Sequence, residues 1–293
     1  MLQDHAMSNA LIQPIETIAV APGNETVRFW RDTRLGGMEC MSASFVTHRF
    51  SPHSHESFGI GAMETGRKVA TIRGVKEYSR PGDLYLINPE AIHDGGPYDG
   101  CFRYRMIYPD TSFLMRLMEE VSDRPLRGTP FFPQQKLTDP ALAEAFLEMH
   151  RRLEAGAGTL EAEEAMICIM ASLMARHSNV LVNRPVAVSS RAAELAREYI
   201  DAHFCEDIAL EDLAAMAEVS RAHLIRSFRK AFHITPHAYQ THLRIRRAKA
   251  LLRRGEAPAE TAFQCGFADQ AHFTRTFKAV NGITPGLYRS RAL

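Results

Sequence analysis

The sequence predicts an α+β protein of two domains. The N-terminal one is a β-rich fold of the jelly-roll type, a small sandwich or β-barrel followed by helices, and the C-terminal one is all-α with two helix-turn-helix motifs. Three observations carry this. From about Met38 to Pro109, short β-prone segments are separated by Gly/Pro turns. From Ser220 onward the same short sentence is written twice, SRAHLIRSFRKAFHITPHAY (Ser220 to Tyr239) and DQAHFTRTFKAVNGITPGLY (Asp269 to Tyr288). Charge divides along the same line: Arg221 to Leu293 holds 14 Lys and Arg against 3 Asp and Glu, and the preceding residues hold 21 against 31.

Taken in order, residues 1–27 are weakly patterned, and Pro14, Pro22 and Gly23 argue for an extended arm. Residues 28–178 form the first domain. Its β segments are ASFVTHRF, FGIGAM, KVATIR, DLYLIN and CFRYRMIY, with turns at Arg80 to Asp83 and Asp94 to Pro97. His53 and His55 project to one side of an extended backbone, and His93 follows a later strand. Arg73, Tyr85, Tyr104 and Arg105 are polar residues of the same region whose facing the sequence leaves open.

From Thr111 the texture becomes helical. Asp139 to Gly156 starts at a cap with proline at the first helical position and stops at glycine, and Thr159 to His177 carries Glu161, Glu163 and Glu164 in its first turns. The latter helix is apolar over a broad arc: Met166, Ile167, Ile169, Met170, Leu173 and Met174. One side covers the strands; the other either finishes the core or meets a partner. Residues 179–189 read as a linker and 190–293 as the second domain.

Each repeat copy is a helix preceded by a shorter one. Ser220 and Asp269 are caps ahead of apolar stripes, Leu224 with Phe228 and Phe273 with Phe277. Upstream lie ALEDLAAMAEV (Ala209 to Val219) and PAETAFQCGFA (Pro258 to Ala268), so the pattern is helix-turn-helix twice. Two copies are too few for a solenoid. Between them runs a helix from Pro236 to Arg254, with Tyr239, Leu243, Ala250 and Leu251 as an inner stripe and Arg244, Arg246, Arg247, Lys249, Arg253 and Arg254 on the remainder. A helix held out from a small core fits a DNA major groove, and basic side chains suit phosphates.

Composition excludes other classes. The chain of 293 residues has the apolar and charged fractions of a globular protein, lacks any run of roughly 18 apolar residues and shows no signal pattern at MLQDHAMSNALIQPIE. A cytoplasmic protein with no membrane partner is the expectation. The cysteines, Cys40, Cys101, Cys168, Cys205 and Cys265, are scattered without paired spacing, which argues against a disulfide framework. With no nucleophile elbow and no phosphate-binding glycine loop, an enzyme is not expected.

Ser190 to Arg291 resembles the DNA-binding domain of the AraC/XylS family of transcription regulators, including its signature second half, CGFADQAHFTRTFKAVNGITPGLYR. The resemblance implies double-stranded DNA as a partner, with the exposed positions of the first recognition helix at Arg221, Ala222, Ile225 and Arg226 and those of the second at Gln270, Ala271, Thr274 and Arg275. Arg246 and Arg247 are expected on phosphates. It also implies RNA polymerase as a partner, activation as the commoner outcome, and a homodimer formed through the helical segment after the strands. Glu218 and His233 depart from the family, standing where glycine is usual, so the first unit is strained there or its turn differs.

SPHSHES and PGDLYLINPEAIHDGG resemble the two cupin motifs of the cupin-like, ligand-binding domain found in many such regulators. The resemblance makes His53, His55 and His93 candidates for binding a small-molecule effector, or for holding a divalent zinc or iron ion; they are otherwise structural. The family's glutamate ligand falls near Gly59 or Ile60 and is absent. The expected function is therefore an effector-controlled, sequence-specific DNA-binding regulator without a definite cofactor, the alternative being a metal-dependent cupin enzyme fused to a DNA-binding domain.

Overall fold

The computed structural model describes residues 16–18, 25–122, 128–178, 189–281 and 283–292. The arm therefore lies outside the described residues except for Glu16–Ile18 and residues 25–27, and the linker except for Ser189. The chain divides into two compact units, one within Met1–Ala155 and Met166–Arg184, the other within Gly156–Ala165 and Pro185–Leu293. The division differs from a cut at the linker in one respect: Gly156–Ala165 belongs with the C-terminal helices.

In the first unit the strands are β1 (Glu16–Ile18), β2 (Thr26–Asp32), β3 (Met38–Phe45), β4 (Phe50–His53), β5 (Gly59–Thr65), β6 (Lys68–Ile72), β7 (Val75–Ser79), β8 (Asp83–Ile87), β9 (His93–Pro97), β10 (Phe102–Tyr108) and β11 (Lys136–Thr138). They form two sheets, in the orders β1-β2-β3-β10-β5-β8-β11 and β4-β9-β6-β7, with every neighbouring pair antiparallel. Alternation sets the faces. In β6 the side chains of Lys68, Ala70 and Ile72 are buried and those of Val69 and Thr71 less so. The turn that closes β6 on β7 has two residues, Arg73 at φ 52° and Gly74 at φ 81°, between the partners Ile72 and Val75. Both central residues at positive φ match the right-handed twist of the hairpin. Glycine matters again at Gly61, where a Cβ would collide with Met106 Sδ and the Tyr85 ring.

The core of this unit is largely aromatic, with Phe45, Tyr85, Phe102 and Tyr104 packed on Met63 and Met106. The helices that follow are α1 (Thr111–Ser122), α2 (Pro140–Glu154) and α3 (Thr159–His177). Asp139 caps α2 by accepting from Leu142 N at 3.1 Å, and Pro140 opens it. Helix α2 brings His150 against Arg105. The Arg105 guanidinium donates to Glu154 at 2.6 Å and His150 Nδ1 at 3.2 Å, while His150 Nε2 donates to Met106 O at 2.9 Å. Burial drives the His150 imidazole down to about 4, so it stays neutral. The six apolar residues of the α3 arc, Met166, Ile167, Ile169, Met170, Leu173 and Met174, are all buried within the single chain. They finish a core of the single chain.

The second unit holds the first turns of α3 with α4 (Ser190–His203), α5 (Leu210–Met216), α6 (Arg221–Phe232), α7 (Pro236–Arg253), α8 (Pro258–Gln264), α9 (Gln270–Asn281) and α10 (Pro285–Ala292). The duplication extends to the caps. Ser220 Oγ accepts from His223 N and Asp269 Oδ1 from His272 N; Thr235 Oγ1 accepts from Ala238 N and Thr284 Oγ1 from Leu287 N. Helix α5 starts at Ala209, which has no side chain to cap with, and Glu163 Oε2 accepts from Leu210 N at 2.6 Å instead. Glu164 does the same for His237 N at 3.0 Å. These are orphan donors of helix starts, satisfied by carboxylates from α3. Fully buried phenylalanines, Phe228 in one copy and Phe273 with Phe277 in the other, anchor the two longer helices; each stabilises by about 1.5–3 kcal/mol.

Candidate functional site

The C-terminal unit presents two pairs of helices of the same design, α5 with α6 and α8 with α9. Each short helix ends in a left-handed residue, Glu218 at φ 53° and Gly266 at φ 74°. Val219 N then bonds Ala214 O, and Phe267 N bonds Ala262 O, both at 3.0 Å, the reach-back of a Schellman turn. His233 likewise takes φ 59° after α6. Glu218 and His233 thus keep the glycine conformation, and the first copy has a normal turn made with a residue that fits it less well.

On α9, Gln270, Ala271 and Arg275 are exposed and Thr274 is half-buried. Helix α6 differs. Arg221 and Arg226 are half-buried, but Ala222 and Ile225 are buried at 5% and 4% exposure. The expectation of exposure is corrected for these two, because α6 packs on a wider arc than α9. Carboxylates from α3, in the same unit, approach both helix starts: Arg221 Nη1 is 3.7 Å from Glu163 Oε1, and His272 Nε2 is 3.9 Å from Glu161 Oε2. On α7, Arg246 and Arg247 are exposed, whereas Arg244 is buried and donates to Phe204 O at 2.6 Å and Glu206 O at 2.7 Å. Arg244 is therefore a structural tie, and Ala250 is exposed, off the inner stripe.

In the first unit a cleft opens between the two sheets. Its lining comes from β3 (Met41), β4 (Phe50, His53), β6 (Lys68), β8 (Ile87), β9 (His93, Asp94) and β10 (Tyr104, Met106, Tyr108), with His55 following β4. The structure brings the three histidines together. His53 pairs with His93 across the β4–β9 ladder, and the ring centroids lie 4.3 Å apart for His53 and His93, 5.0 Å for His55 and His93 and 6.4 Å for His53 and His55. Each Nδ1 donates to a backbone carbonyl two residues away: His53 to Ser51 O (2.8 Å), His55 to Ser57 O (2.6 Å) and His93 to Ala91 O (2.8 Å). A carbonyl oxygen only accepts, so each Nδ1 carries the hydrogen, which in an uncharged imidazole makes Nε2 the acceptor. Burial takes the His93 imidazole down to about 4.

Imidazoles committed in this way are also how metal ligands are oriented. The rest of the donor set does not fit a metal ion. At the glutamate position stands Gly59, where a Cβ would meet Met106 Cε at 3.1 Å and His55 Cε1 at 3.2 Å. Among the described residues no group of three or more His, Cys, Asp or Glu is arranged to hold one. His53, His55 and His93 are thus a cluster of acceptors, and the zinc or iron reading is corrected.

Of the residues left open by sequence, Tyr85 and Tyr104 face the interior, Arg105 points to the opposite face, toward α2, and Arg73 belongs to the β6–β7 turn. Lys68 was missed. Its period-two spacing with Ala70 and Ile72 in KVATI is the signal that could have found it. Lys68 Nζ lies 4.5 Å from the Tyr85 ring centroid and 5.2 Å from that of Tyr104, and burial pushes its ammonium down to about 8. Among the described residues no helix is long and apolar enough to cross a membrane.

Comparison with known proteins agrees with this layout. A family model described as an AraC-like ligand binding domain matches residues 35–169, and one described as a helix-turn-helix domain matches residues 213–291. The uncharacterised HTH-type transcriptional regulator YbfI of Bacillus subtilis is 31% identical over 250 residues, 85% of this chain and 90% of the relative. The HTH-type transcriptional activator RhaS of Escherichia fergusonii is 24% identical over 242 residues, 80% of this chain and 86% of the relative. The HTH-type transcriptional activator RhaR of Klebsiella pneumoniae is 24% identical over 259 residues, 83% and 88%. With both domains matched in order and this identity sustained over most of its length, the chain belongs to the AraC/XylS family of helix-turn-helix transcription regulators with an N-terminal ligand-binding domain.

Proposed function

We propose that this protein is a sequence-specific DNA-binding transcription regulator, an activator, whose action is controlled by a small molecule bound between the sheets of its N-terminal unit. The observation that carries the reading is the repeated helix pair with its free second copy: Gln270, Ala271 and Arg275 are exposed at the start of α9, on the electropositive half of the chain. Both pairs serve as reading heads, two helix-turn-helix motifs in one subunit. Helix α7, 18 residues long, separates them by about 27 Å of rigid rod at 1.5 Å per residue. That length is of the order of the roughly 34 Å between successive major grooves on one DNA face.

The chemistry of each head follows from its side chains. Arg226 and Arg275 make paired bonds to guanine O6 and N7, Gln270 pairs with adenine, and Ala271 offers apolar contact to a thymine methyl. Arg221 and Thr274 flank these contacts, and Arg246 and Arg247 neutralise phosphates. In the N-terminal unit the two sheets act as a jelly-roll, cupin-like barrel, with the acceptors of His53, His55 and His93 turned to the effector. An effector shifts the protein only as far as it binds one state more tightly than another. Homodimerisation through the helical segment after the strands, and contact with RNA polymerase, enter through the family alone.

The test is selection of bound sequences from a random duplex pool by the full chain, followed by Arg275→Ala. The expected outcome is an enriched site, a loss of about 1–3 kcal/mol on it and a relaxed preference at one base pair. Equal weakening on every sequence would remove Arg275 from base reading, and no enrichment at all would remove the function.

A further inference from the structure

Lys68 brings a buried ammonium into the cleft, with the Asp94 carboxylate as the charge that acts on it. It points inward from β6 at 8% exposure, in line with Ala70 and Ile72, and lies at the junction of the cleft with a second, smaller hollow lined by Ile72, Ser79 and Tyr85. Among the described residues its Nζ makes no hydrogen bond and no ion pair within 4.0 Å. The faces of Tyr85 and Tyr104 are its neighbours, and they soften the burial of a cation without replacing the hydrogen bonds that water would make. The nearby acid, Asp94, accepts from Thr71 N at 2.5 Å and makes no ion pair with Nζ within 4.0 Å, although its charge still acts on the ammonium.

A second orphan stands beside it. Tyr85 is 3% exposed, and its Oη is buried with no hydrogen-bond partner. Burial keeps this phenol and that of Tyr104 protonated far into the alkaline range, so each is a donor. An ammonium without a hydrogen-bond partner and an orphaned phenol donor thus line one recess, together with the carboxylates of Asp94 and Glu77. Buried polar groups in native proteins are normally satisfied, and unsatisfied ones that converge on a cavity mark what the cavity is built to hold.

We propose that the effector is a small monocarboxylate, its carboxylate accepting from Lys68 Nζ and Tyr85 Oη. This rests on the effector reading given above. A dianion such as a phosphate monoester would meet Asp94 and Glu77, which line the same recess, with no second cation to offset them except Lys136 at its rim. The remainder of the cleft, Met41, Phe50, Ile87 and Met106, is apolar and takes the body of the molecule. The Nε2 acceptors of the histidine cluster, at the more exposed end, take a hydroxyl or amine hydrogen where the molecule carries one.

The experiment is isothermal calorimetry and thermal shift on the full chain at pH 7 with butanoate, hexanoate and phenylacetate, each beside its primary amide. The expected result is that at least one acid binds at least about ten-fold tighter than its amide. Lys68→Met is expected to abolish that preference, and Tyr85→Phe, which removes only an oxygen, to reduce it about three- to ten-fold. Tyr85→Phe keeps the test open where Lys68→Met fails to fold. Amides binding as well as acids, or a preference that survives both substitutions, would overturn the carboxylate while leaving an effector in the cleft. A compound trapped on Lys68 as an imine by borohydride would overturn it in favour of an aldehyde. Absence of binding by every acid and amide, with no small molecule co-purifying in native mass spectrometry, would overturn both this inference and the effector reading.

Discussion

Exchanging Glu218 for glycine is expected to stabilise the C-terminal unit, and exchanging Gly266 for alanine to damage it. The two residues occupy the same place in the two helix pairs, left-handed at φ 53° and 74°. The Glu218 carboxylate is exposed and makes no hydrogen bond or ion pair among the described residues, so its removal loses no contact. A residue with a Cβ bears about 1–2 kcal/mol in this conformation. Glycine gives back roughly 0.5–1 kcal/mol through the larger freedom of its unfolded chain. The net gain for Glu218→Gly is about 0.5–1 kcal/mol, a rise of roughly 2–8 °C in the melting temperature of a unit of about 100 residues.

Gly266→Ala works the other way for a second reason. Besides the positive φ, its Cβ would collide with Cys205 O and lie 2.7 Å from the Cys205 carbonyl carbon, and a backbone neighbour cannot swing aside. A loss of about 3 kcal/mol or more is expected, in the range of strained or overpacked sites. Differential scanning calorimetry of the full chain and of both variants reads these shifts on the transition of the C-terminal unit. A melting temperature unchanged or lowered by Glu218→Gly, or lowered less than about 5 °C by Gly266→Ala, would refute the argument that left-handed geometry limits the first copy and backbone crowding the second.

Arg246→Ala and Arg247→Ala, both at exposed positions on α7, should weaken DNA binding on all sequences alike and reduce the slope of log K against log salt by about 1 each; fluorescence anisotropy from low to moderate salt checks this. In the N-terminal unit, Glu25 accepts the backbone N–H groups of Val46, Thr47 and His48, and these hold its carboxyl at about 2, below the ordinary 4.5. A depressed folded value means stability that is present above about 4.5 and lost as pH falls through about 2. Glu25→Gln should flatten that part of the acid dependence of the melting temperature, and a dependence as steep as that of the parent chain would show that another carboxylate governs it.

Much of the C-terminal unit was legible in the sequence because its signals are local. Caps such as Ser220 and Asp269, prolines at helix starts and apolar positions three or four apart each act within one or two turns, and a repeat doubles the reading. Arg244 shows where this failed. Its position in a basic run assigned it to the outer surface, but the carbonyls of Phe204 and Glu206, some 40 positions away, turn it into a buried tie. Ala222 and Ile225 failed similarly, since the width of the arc that α6 buries depends on what packs on it.

The β-rich half divides along the same line. Alternation in KVATI and CFRYRMIY, and the pair His53 and His55, are properties of an extended backbone and were available from the letters. By itself, then, the sequence determined the two-domain α+β plan, the helix repeats with their caps, the charge division and the histidine candidates. Only the tertiary structure decided which of these come together: that β4 and β9 pair so that His53 meets His93, that Gly59 leaves room for the His55 ring instead of supplying a carboxylate, and that Lys68 and Tyr85 converge from strands of different sheets. The physical reason is range. Helix caps and pleats are settled by neighbours within a few residues, whereas register, burial and the matching of a charge depend on partners that chain proximity does not specify.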